Sequence, residues 1–455
     1  MHTPLEIGST PVIIAIASPI KMSGSIDRAL KVSIVLGLGA LLYFAFHGSI
    51  FRPLIDAAAV KDWSNSIFRP SAIWISMGFL LLAFRTILLF RYREIPPETP
   101  ASAPNLTVII PAYNEGAMVS QTVASIAQSD YPHNRLEIFV VDDGSRDDTW
   151  EHISAAAQRF PNLVTALRFT ENHGKRAALE AGFVRAQGEI VVTIDSDSVI
   201  EPQTLLALAA PFRNPKIGAV AGKVAAFNRH TGIIPRMLHV RFILSFDMLR
   251  AAQSTYGTVY CCPGALSAYR LSVVRKVLKA WRNQTFLGAP CTFGEDRALT
   301  NLILQQGLNT VYQRNAVVHT IVPETYSKLV KMYLRWERSY VREEWKFITQ
   351  VLWQRPWRTR WISCIDAFFT NLRFPMIYAS LALLVTLAMS DPMTVLRLMD
   401  AIGLMAMLYM LYFLRSEKSW DFVYGIVYAY FSFFTLFWIF PYAIVTVRAR
   451  SWMTR

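Results

Sequence analysis

The sequence predicts an α/β domain with a mostly parallel sheet, flanked on both sides by transmembrane α-helices. Of the 455 residues, 53% are hydrophobic and only 17% are charged, whereas about a quarter of the residues of a soluble protein are usually charged. The apolar residues gather at the two ends of the chain, and apolar strands alternate with helical segments through the middle. This distribution excludes an ordinary soluble globule and a disordered chain, and it predicts a polytopic membrane protein.

The first 94 residues are predicted to hold a tail and two transmembrane helices. Segments at about 32–50 and 71–90 each contain roughly the 20 apolar residues that a bilayer requires. The apolar run Val12–Ile20 is too short to cross and is interpreted as a tail or a surface-lying segment. Arg85 interrupts the second span near its end, where we expect the long side chain to reach the membrane interface.

Residues 95–345 are predicted to form one cytosolic domain. A proline-rich linker opens the domain, and helices are expected at Gly116–Gln128 and Lys175–Ala186. The predicted strands are LTVIIPA, LEIFVVDD, VTALRF and EIVVTID. Alternation of strands and crossover helices is typical of parallel sheets, which bind ligands beyond the carboxyl ends of their strands.

The C-terminal region is predicted to return to the membrane. Residues 346–373 are rich in arginine and tryptophan and resemble amphipathic helices lying at the membrane face. Further spans are predicted at about 374–390, 397–414 and 422–447. Basic residues precede the third span of the chain, which indicates that the segment before this span lies on the cytoplasmic side. Because five full spans would place the final arginines outside, we expect either a different count or one segment that does not fully cross.

Two polar motifs are suited to a nucleotide. Asp142 and Asp143 follow an apolar strand, and carboxylates at this position can accept the imide N–H of uracil or bind ribose hydroxyls. Ordinary turns often have the same residues. Lys175 stands in a basic segment, 172–176, that opens a helix, and a helix N-terminus with cations suits a phosphate. Solvated charges at a helix start explain this segment equally well.

Two further motifs contain carboxylates. Asp195 and Asp197 follow the strand Ile190–Ile194, and oxygen ligands of this type favour Mg²⁺ or Mn²⁺ bridging a diphosphate. An ordinary turn is the alternative. Farther on, a carboxylate in the segment 294–297 is placed to act as general base toward an acceptor hydroxyl, or merely to cap a helix.

The last motif, in residues 335–345, combines arginine, tryptophan and glutamate. Arg335 can pair with a diphosphate, and Trp336 can stack on a sugar ring or close a pocket. An interfacial amphipathic helix has the same composition. The segment is therefore compatible with both a substrate-binding role and contact with the membrane.

The order of these motifs resembles that of the processive membrane glycosyltransferases of family 2, which have the glycosyltransferase-A fold. PAYNE, VDDGS, GKRAAL, DSDS, CCPGALSAYR, GEDRALT and the RW segment follow one another as in those enzymes. Within the family the sequence is most similar to hyaluronan synthases and to chitin-oligosaccharide synthases. GEDRALTNLIL and RWERSYVREEW are particularly similar to the hyaluronan synthase pattern.

The resemblance implies a role for each candidate residue. By this resemblance Asp142 and Asp143 would bind uridine, Lys175 would lie near the nucleotide, and Asp195 and Asp197 would hold the Mg²⁺ or Mn²⁺ ion. Asp296 would be the catalytic base, Arg335 would face the diphosphate, and Trp336 would face the acceptor. The family pattern has glutamine three residues before the arginine, and Met332 stands there in this chain. Contacts made by that glutamine are therefore not carried over.

The implied function is an inverting β-glycosyltransferase that polymerises sugars from UDP-sugar donors and translocates the polymer. Hyaluronan-like, chitin-like and glucan-like products are all compatible with the sequence. The catalytic domain would lie on the cytoplasmic side of the cell membrane, in contact with the lipid bilayer. A non-processive transferase acting on a lipid, and an inactive polymer-export scaffold, are the alternatives. We expect no nucleic-acid partner, whereas a homo-oligomer or export partners are compatible with the sequence.

Overall fold

The computed structural model describes residues 24–47, 70–387, 389 and 393–449. The predicted tail segment Val12–Ile20 lies outside the described residues, and so do residues 48–50 of the first predicted span. Two helices cover most of the N-terminal region that was predicted to be transmembrane: α1 is Gly24–His47 and α2 is Pro70–Arg91.

The central domain alternates strands and helices as the sequence predicts. Its strands are β1 (Leu106–Ala112), β2 (Leu136–Asp142), β3 (Val164–Arg168), β4 (Ile190–Thr193), β5 (Ser198–Ile200), β6 (Ile217–Ala226), β7 (Ser267–Arg270), β8 (Thr285–Phe286), β9 (Ala289–Pro290) and β10 (Asn309–Thr320). Its helices are α3 (Met118–Ala127), α4 (Thr149–Arg159), α5 (Lys175–Arg185), α6 (Thr204–Ala209), α7 (Ile233–Phe242), α8 (Leu249–Ser254), α9 (Leu271–Arg282), α10 (Glu295–Gln305) and α11 (Tyr326–Lys346). A π-helical stretch, Ile243–Met248, joins α7 to α8.

Eight strands form one sheet in the order β3-β2-β1-β4-β7-β6-β10-β5. The pairs β1–β2, β1–β4, β2–β3 and β6–β10 are parallel. Strand β7 runs antiparallel between β4 and β6, and β5 runs antiparallel to β10. The structure therefore confirms the predicted α/β class and its mostly parallel sheet.

The sheet is covered on both faces, which explains its continuous apolar strands. Every residue of β1 is buried. Val108 and Ile110 pack into one core, whereas Ile109 between them packs into a second core on the opposite face. Because successive side chains of a strand alternate between faces, a strand buried on both sides is an apolar run. The carboxyl ends of β1, β2 and β4 thus meet at one edge.

Four helices lie in the described part of the C-terminal region: α12 (Trp357–Leu387), α13 (Met393–Glu417), α14 (Phe422–Thr435) and α15 (Ile439–Val445). Among the described residues, two helical segments are long and apolar enough to cross a membrane, namely Trp357–Thr386 and Leu398–Glu417. Helix α12 is continuous through residues 373 and 374, where the sequence analysis divided an interfacial segment from a span. The amphipathic stretch and the following apolar stretch are therefore parts of one helix.

The last predicted span, 422–447, is broken. Helices α14 and α15 meet at an angle of 49°, so that the pair is either a broken span or a re-entrant loop. A segment that does not fully cross was one of the two outcomes expected from the charges near the C-terminus.

The side chain of Arg85 makes its polar contacts inside the protein, and its extension to the membrane interface stays a prediction. Its side chain is buried at the contact between α2 and α12, where Nε donates to Asp366 Oδ1 at 3.0 Å. One of its Nη atoms donates to Thr370 Oγ1 at 2.6 Å. The partners follow Arg85 by more than 280 residues in the chain, so local sequence cannot reveal them.

Candidate active site

A cavity of about 530 Å³ opens at the carboxyl end of the sheet. It contains six of the residues predicted from the sequence: Lys175, Asp195, Asp197, Asp296, Arg335 and Trp336. Its wall also includes Thr370 and Arg373 of α12. The cavity therefore extends from the strand ends to a helix that is apolar enough to cross a membrane.

Lys175 lies between two carboxylates in this cavity. Its Nζ is 2.5 Å from Asp195 Oδ1 and 3.0 Å from Glu295 Oε1. Burial alone would lower the pKa of Lys175, but the two carboxylates outweigh this effect and raise it. The lysine therefore stays protonated. A Cβ at Gly264 would lie 2.7 Å from Lys175 Nζ, so the glycine leaves room for the ammonium group.

Asp296 lies in the first turn of α10 and faces the same cavity. Its Oδ2 accepts a hydrogen bond from the Gly264 N–H at 3.3 Å and is 3.6 Å from Cys261 Sγ. Burial, followed by repulsion from Glu295, raises the pKa of Asp296. Burial also acts to raise the pKa of Glu295, but attraction to Lys175 lowers it. Two adjacent carboxyl groups thus differ in proton affinity, and Asp296 is the stronger base.

Gly294 explains how the start of α10 approaches α11. Its φ of +74° lies in the left-handed region that favours glycine. A Cβ at this position would fall 1.9 Å from Ser339 Oγ. The backbone therefore passes directly against α11, which brings Asp296 to the side of the cavity that contains Trp336.

Asp195 and Asp197 fit a hard divalent cation by the chemistry of their donor atoms. Asp197 Oδ1 accepts from Thr320 Oγ1 at 3.1 Å, and both carboxylates face the cavity. In the described part of the chain, no group of three or more His, Cys, Asp or Glu side chains is arranged to hold a metal. A pair of carboxylates still fits Mg²⁺, which commonly takes one or two carboxylates and completes its shell with substrate phosphates and water.

Asp142 and Asp143 are not among the residues of the cavity wall. Asp142 is fully buried, and its Oδ1 accepts from the Ser145 N–H at 3.0 Å. Asp143 accepts from the His173 N–H at 2.8 Å and from Asn172 Nδ2 at 3.0 Å. These bonds hold the turn after β2 against the loop that leads into Lys175. Contact of the two carboxylates with a nucleotide stays a prediction.

Trp336 belongs to an aromatic cluster in the cavity wall. Its ring centroid lies 5.7 Å from that of Tyr333, 6.0 Å from that of Phe242 and 6.1 Å from that of Phe246. The side chain is 36% exposed, so part of the indole is open to a ligand. Met332 lies in the same wall and packs into the apolar core. The residue at the position of the family glutamine therefore has a packing role in this chain.

Three residues of the site had no assigned role in the sequence analysis. Glu295 directly precedes Asp296, and the pair of adjacent carboxylates at a helix start is the sequence feature that could have indicated a role for Glu295. Gly264 lies in the CCPGALSAYR motif, which marked the segment but not the contact with Lys175. Thr370 lies in a predicted interfacial segment, where no local pattern indicates that it lines the cavity.

This fold and this site define a glycosyltransferase. The sequence matches the description "Glycosyl transferase family 2" over residues 107–278. It is 32% identical over 356 residues to an N-acetylglucosaminyltransferase of Azorhizobium caulinodans, covering 77% of this chain and 87% of the relative. The chain therefore belongs to glycosyltransferase family 2, as the motifs predict.

Other relatives share a smaller part of their length. An N-acetylglucosaminyltransferase of Rhizobium meliloti is 37% identical over 275 residues, 58% of this chain and 64% of the relative. A hyaluronan synthase of Streptococcus pyogenes is 36% identical over 252 residues, 54% of this chain and 59% of the relative. Alignment with these two proteins thus spans less than two thirds of their length. The predicted similarity to hyaluronan synthases is confirmed.

A solved structure supports the fold. The mannosyltransferase PcManGT of Pyrobaculum calidifontis, in complex with GDP-Man and Mn²⁺, matches 80% of this chain and 98% of its own with a TM-score of 0.55. Sequence identity is 22%. At this distance the similarity shows the glycosyltransferase-A-like fold.

Proposed function

We propose that the protein is a membrane-embedded, inverting β-glycosyltransferase that extends a polysaccharide with N-acetylglucosamine from UDP-N-acetylglucosamine. The observation that carries the proposal is one cavity containing Asp296, Lys175 and Trp336 together with residues of α12. The relative that is matched over 87% of its length is named N-acetylglucosaminyltransferase, and this supports the choice of sugar.

Asp296 acts as the base in the proposed reaction. Its carboxylate removes the proton of the acceptor hydroxyl while that oxygen attacks the anomeric carbon of the donor. The bond between this carbon and the diphosphate oxygen breaks, and UDP leaves. A single displacement inverts an α-linked donor into a β-linked product. The raised pKa of Asp296 strengthens it as a base, and such catalysis contributes about 10²–10⁴-fold to the rate.

Negative charge develops on the diphosphate as it leaves, and nearby cations can stabilise it. Lys175, kept protonated by Asp195 and Glu295, supplies a fixed positive charge at the helix start. Arg335 lies in the same cavity and provides a second cation. Asp195 and Asp197 would hold Mg²⁺ or Mn²⁺, which supplies Lewis-acid stabilisation of the diphosphate when bound. Asp142 and Asp143 are assigned to the uridine end of the donor.

The acceptor is assigned to the aromatic side of the cavity. The exposed part of Trp336 offers a flat face to a sugar ring, and stacking tolerates sliding of the chain. Thr370 and Arg373 extend the wall along α12. A growing chain that leaves along this helix would enter the membrane, so the proposal includes translocation of the polymer from a cytoplasmic catalytic domain.

Product analysis tests the proposal. Purified protein receives radiolabelled UDP-sugars, singly and in pairs, with Mg²⁺ or Mn²⁺, and the products are digested with linkage-specific hydrolases. A chitinase-sensitive polymer made from UDP-N-acetylglucosamine alone is expected. A polymer that forms only with UDP-glucuronic acid as well identifies a hyaluronan-type enzyme. One sugar on a lipid overturns the polymerase assignment, and no transfer from any UDP-sugar supports the export-scaffold alternative.

A further inference from the structure

Three helices from distant parts of the chain meet beside the cavity. The side chains of Leu88 from α2, of Ala252 from α8 and of Tyr256 from the turn after α8 form a small buried apolar cluster, against which Ile362 of α12 packs. The cluster joins the catalytic domain to α2 and α12. The Arg85–Asp366 ion pair lies beside it, since Asp366 accepts a hydrogen bond from Tyr256.

Both side chains of the ion pair also form hydrogen bonds with neighbouring polar side chains. Asp366 is 1% exposed, and its Oδ2 accepts from Tyr256 Oη at 3.2 Å and from Gln253 Nε2 at 3.3 Å. Arg85 donates to the other carboxylate oxygen and to Thr370. A buried ion pair is costly to desolvate, and apolar residues of similar size often stabilise a fold as well. A purely structural contact therefore has no need of these charges.

A second tyrosine contacts α12 next to the ion pair. Tyr256 donates its hydroxyl hydrogen to Asp366, and Tyr260 Oη, 3.3 Å from Tyr256 Oη, donates to the Ser363 carbonyl of α12 at 3.2 Å. Tyr260 lines the cavity, and the next residues of the chain contact the catalytic carboxylate: Cys261 through its Sγ and Gly264 through its N–H. Two hydrogen bonds, from Tyr256 to Asp366 and from Tyr260 to Ser363, thus fasten the segment that contacts Asp296 to α12, and Asp366 joins α12 to Arg85 of α2.

We propose that Arg85 and Asp366 are a positioning pair for the transfer reaction, acting through residues 256–264 on Asp296. Neither residue lines the cavity. The pair holds the end of α8 against α12, so that the segment after Tyr256 keeps the Gly264 N–H and Cys261 directed at the Asp296 carboxylate. This inference rests on the proposed function, because it assigns the pair to the step in which Asp296 acts.

A set of matched variants tests the pair in the full-length protein in lipid nanodiscs. Arg85→Met and Asp366→Asn each remove one charge, and the double variant removes both. Arg85→Lys keeps the charge, and Arg91→Met removes an exposed arginine from the same helix as the control. The measurements are kcat and KM for UDP-N-acetylglucosamine, binding of UDP, and amide hydrogen exchange of residues 253–264.

Either single variant is expected to lower kcat by about 10- to 100-fold, because a small misplacement of a catalytic group has effects of that size. KM and UDP affinity are expected to change less than about twofold, since the donor contacts lie elsewhere. The double variant and Arg85→Lys are expected to recover part of kcat, because neither leaves a buried charge unpaired. The control is expected to match the wild type.

Hydrogen exchange separates this inference from the proposed function. Faster exchange in residues 253–264 of the single variants supports the contact between the pair and this segment whether or not the wild type transfers sugar from UDP-sugars, and the positioning role requires the fall in kcat as well. Unchanged exchange and unchanged kcat in folded single variants overturn it. It is also overturned if UDP affinity falls as far as kcat, or if the two substitutions act additively, since independent residues would behave in this way. Should a single variant fail to fold, Arg85→Lys and the double variant provide the same comparison.

Discussion

The two sides of the cavity are built in different ways. On the side proposed to bind the donor, called the donor side, Asp195 and Asp197 come soon after β4, and Lys175 begins the helix after the loop bound by Asp143. On the side proposed to bind the acceptor, called the acceptor side, Trp336 and Thr370 come from helices that meet only in the tertiary structure. The donor side therefore depends on the backbone hydrogen bonds of the sheet. The acceptor side depends on side-chain contacts between distant elements and is the more easily displaced by mutation.

The largest effect is expected on the donor side, from Asp197→Ala. Because the diphosphate would leave without its cation, several kcal/mol of charge stabilisation would be lost, and transfer should fall below detection. Radiolabelled product formation measures this, with Glu201→Ala as the control, since that carboxylate is exposed and pairs with His319. Wild-type activity in EDTA would contradict the assignment of a metal ion to Asp195 and Asp197.

Asp296→Asn tests the residue at the boundary of the two sides. Asparagine keeps the shape of the side chain but cannot take the proton of the acceptor hydroxyl, so kcat is expected to fall by about 10²–10⁴-fold. Binding of UDP-N-acetylglucosamine, measured by calorimetry, should be unchanged. If donor affinity collapses with kcat, Asp296 belongs to the donor side as a binding residue and is not the base.

On the acceptor side, Trp336→Ala should damage elongation while UDP binding survives. Loss of an aromatic contact of about 0.5–1.5 kcal/mol corresponds to acceptor binding about 2- to 12-fold weaker. Polymer length on gels measures the effect. Trp345→Ala, on the same helix and 63% exposed, is the control.

Translocation is tested separately in proteoliposomes that contain only this protein. Polymer made from external donor should become protected from added hydrolase inside the vesicles. Polymer that stays wholly accessible to the hydrolase would contradict export through the helices but would not contradict the proposed sugar transfer.

The pH dependence should separate Glu295 from Asp296. Because the pKa of Asp296 is raised, kcat should be lost as the pH falls through a value above the ordinary range of about 3.9. Glu295→Gln removes a neighbouring negative charge and releases Lys175 to act on Asp296, and both changes lower that pKa. The acid limb should therefore move to lower pH. A limb that moves upward or stays in place would exclude Asp296 as the group that titrates.

A pair of glycine substitutions is expected to act on the stability of the fold, with the smallest direct effect on the chemistry of transfer. Gly307 and Gly294 have φ of +77° and +74°, and in the described part of the chain no heavy atom lies within 4 Å of a Cβ built at Gly307. Gly307→Ala should cost about 1–2 kcal/mol of stability from backbone strain alone. Gly294→Ala should cost about 1–3 kcal/mol more, because the added methyl meets Ser339. Thermal unfolding in detergent compares the two, and equal losses would show that the contact with α11 is not tight.

Much of the donor side could be predicted from the sequence. The strand LTVIIPA is observed at the predicted bounds, and helix α5 begins at Lys175 as expected. These elements are local, since a short continuous apolar run and a glycine before a helix need few distant partners. Helix α10 begins at Glu295, directly after Gly294, whose left-handed turn lies against α11. That contact is not visible in the segment itself.

By itself the sequence determined the class of domain, the family and the chemistry of the candidate residues, because strand periodicity, apolar length and motif order are properties of neighbouring residues. Only the tertiary structure decided that Arg85 pairs with Asp366, that Lys175 lies between Asp195 and Glu295, and that α12 contributes Thr370 to the cavity. Each of these contacts joins residues from separate elements. A buried charge requires a polar or charged partner, and the fold can bring that partner from any part of the chain. The separation of two residues in the sequence therefore does not show which residue the partner is.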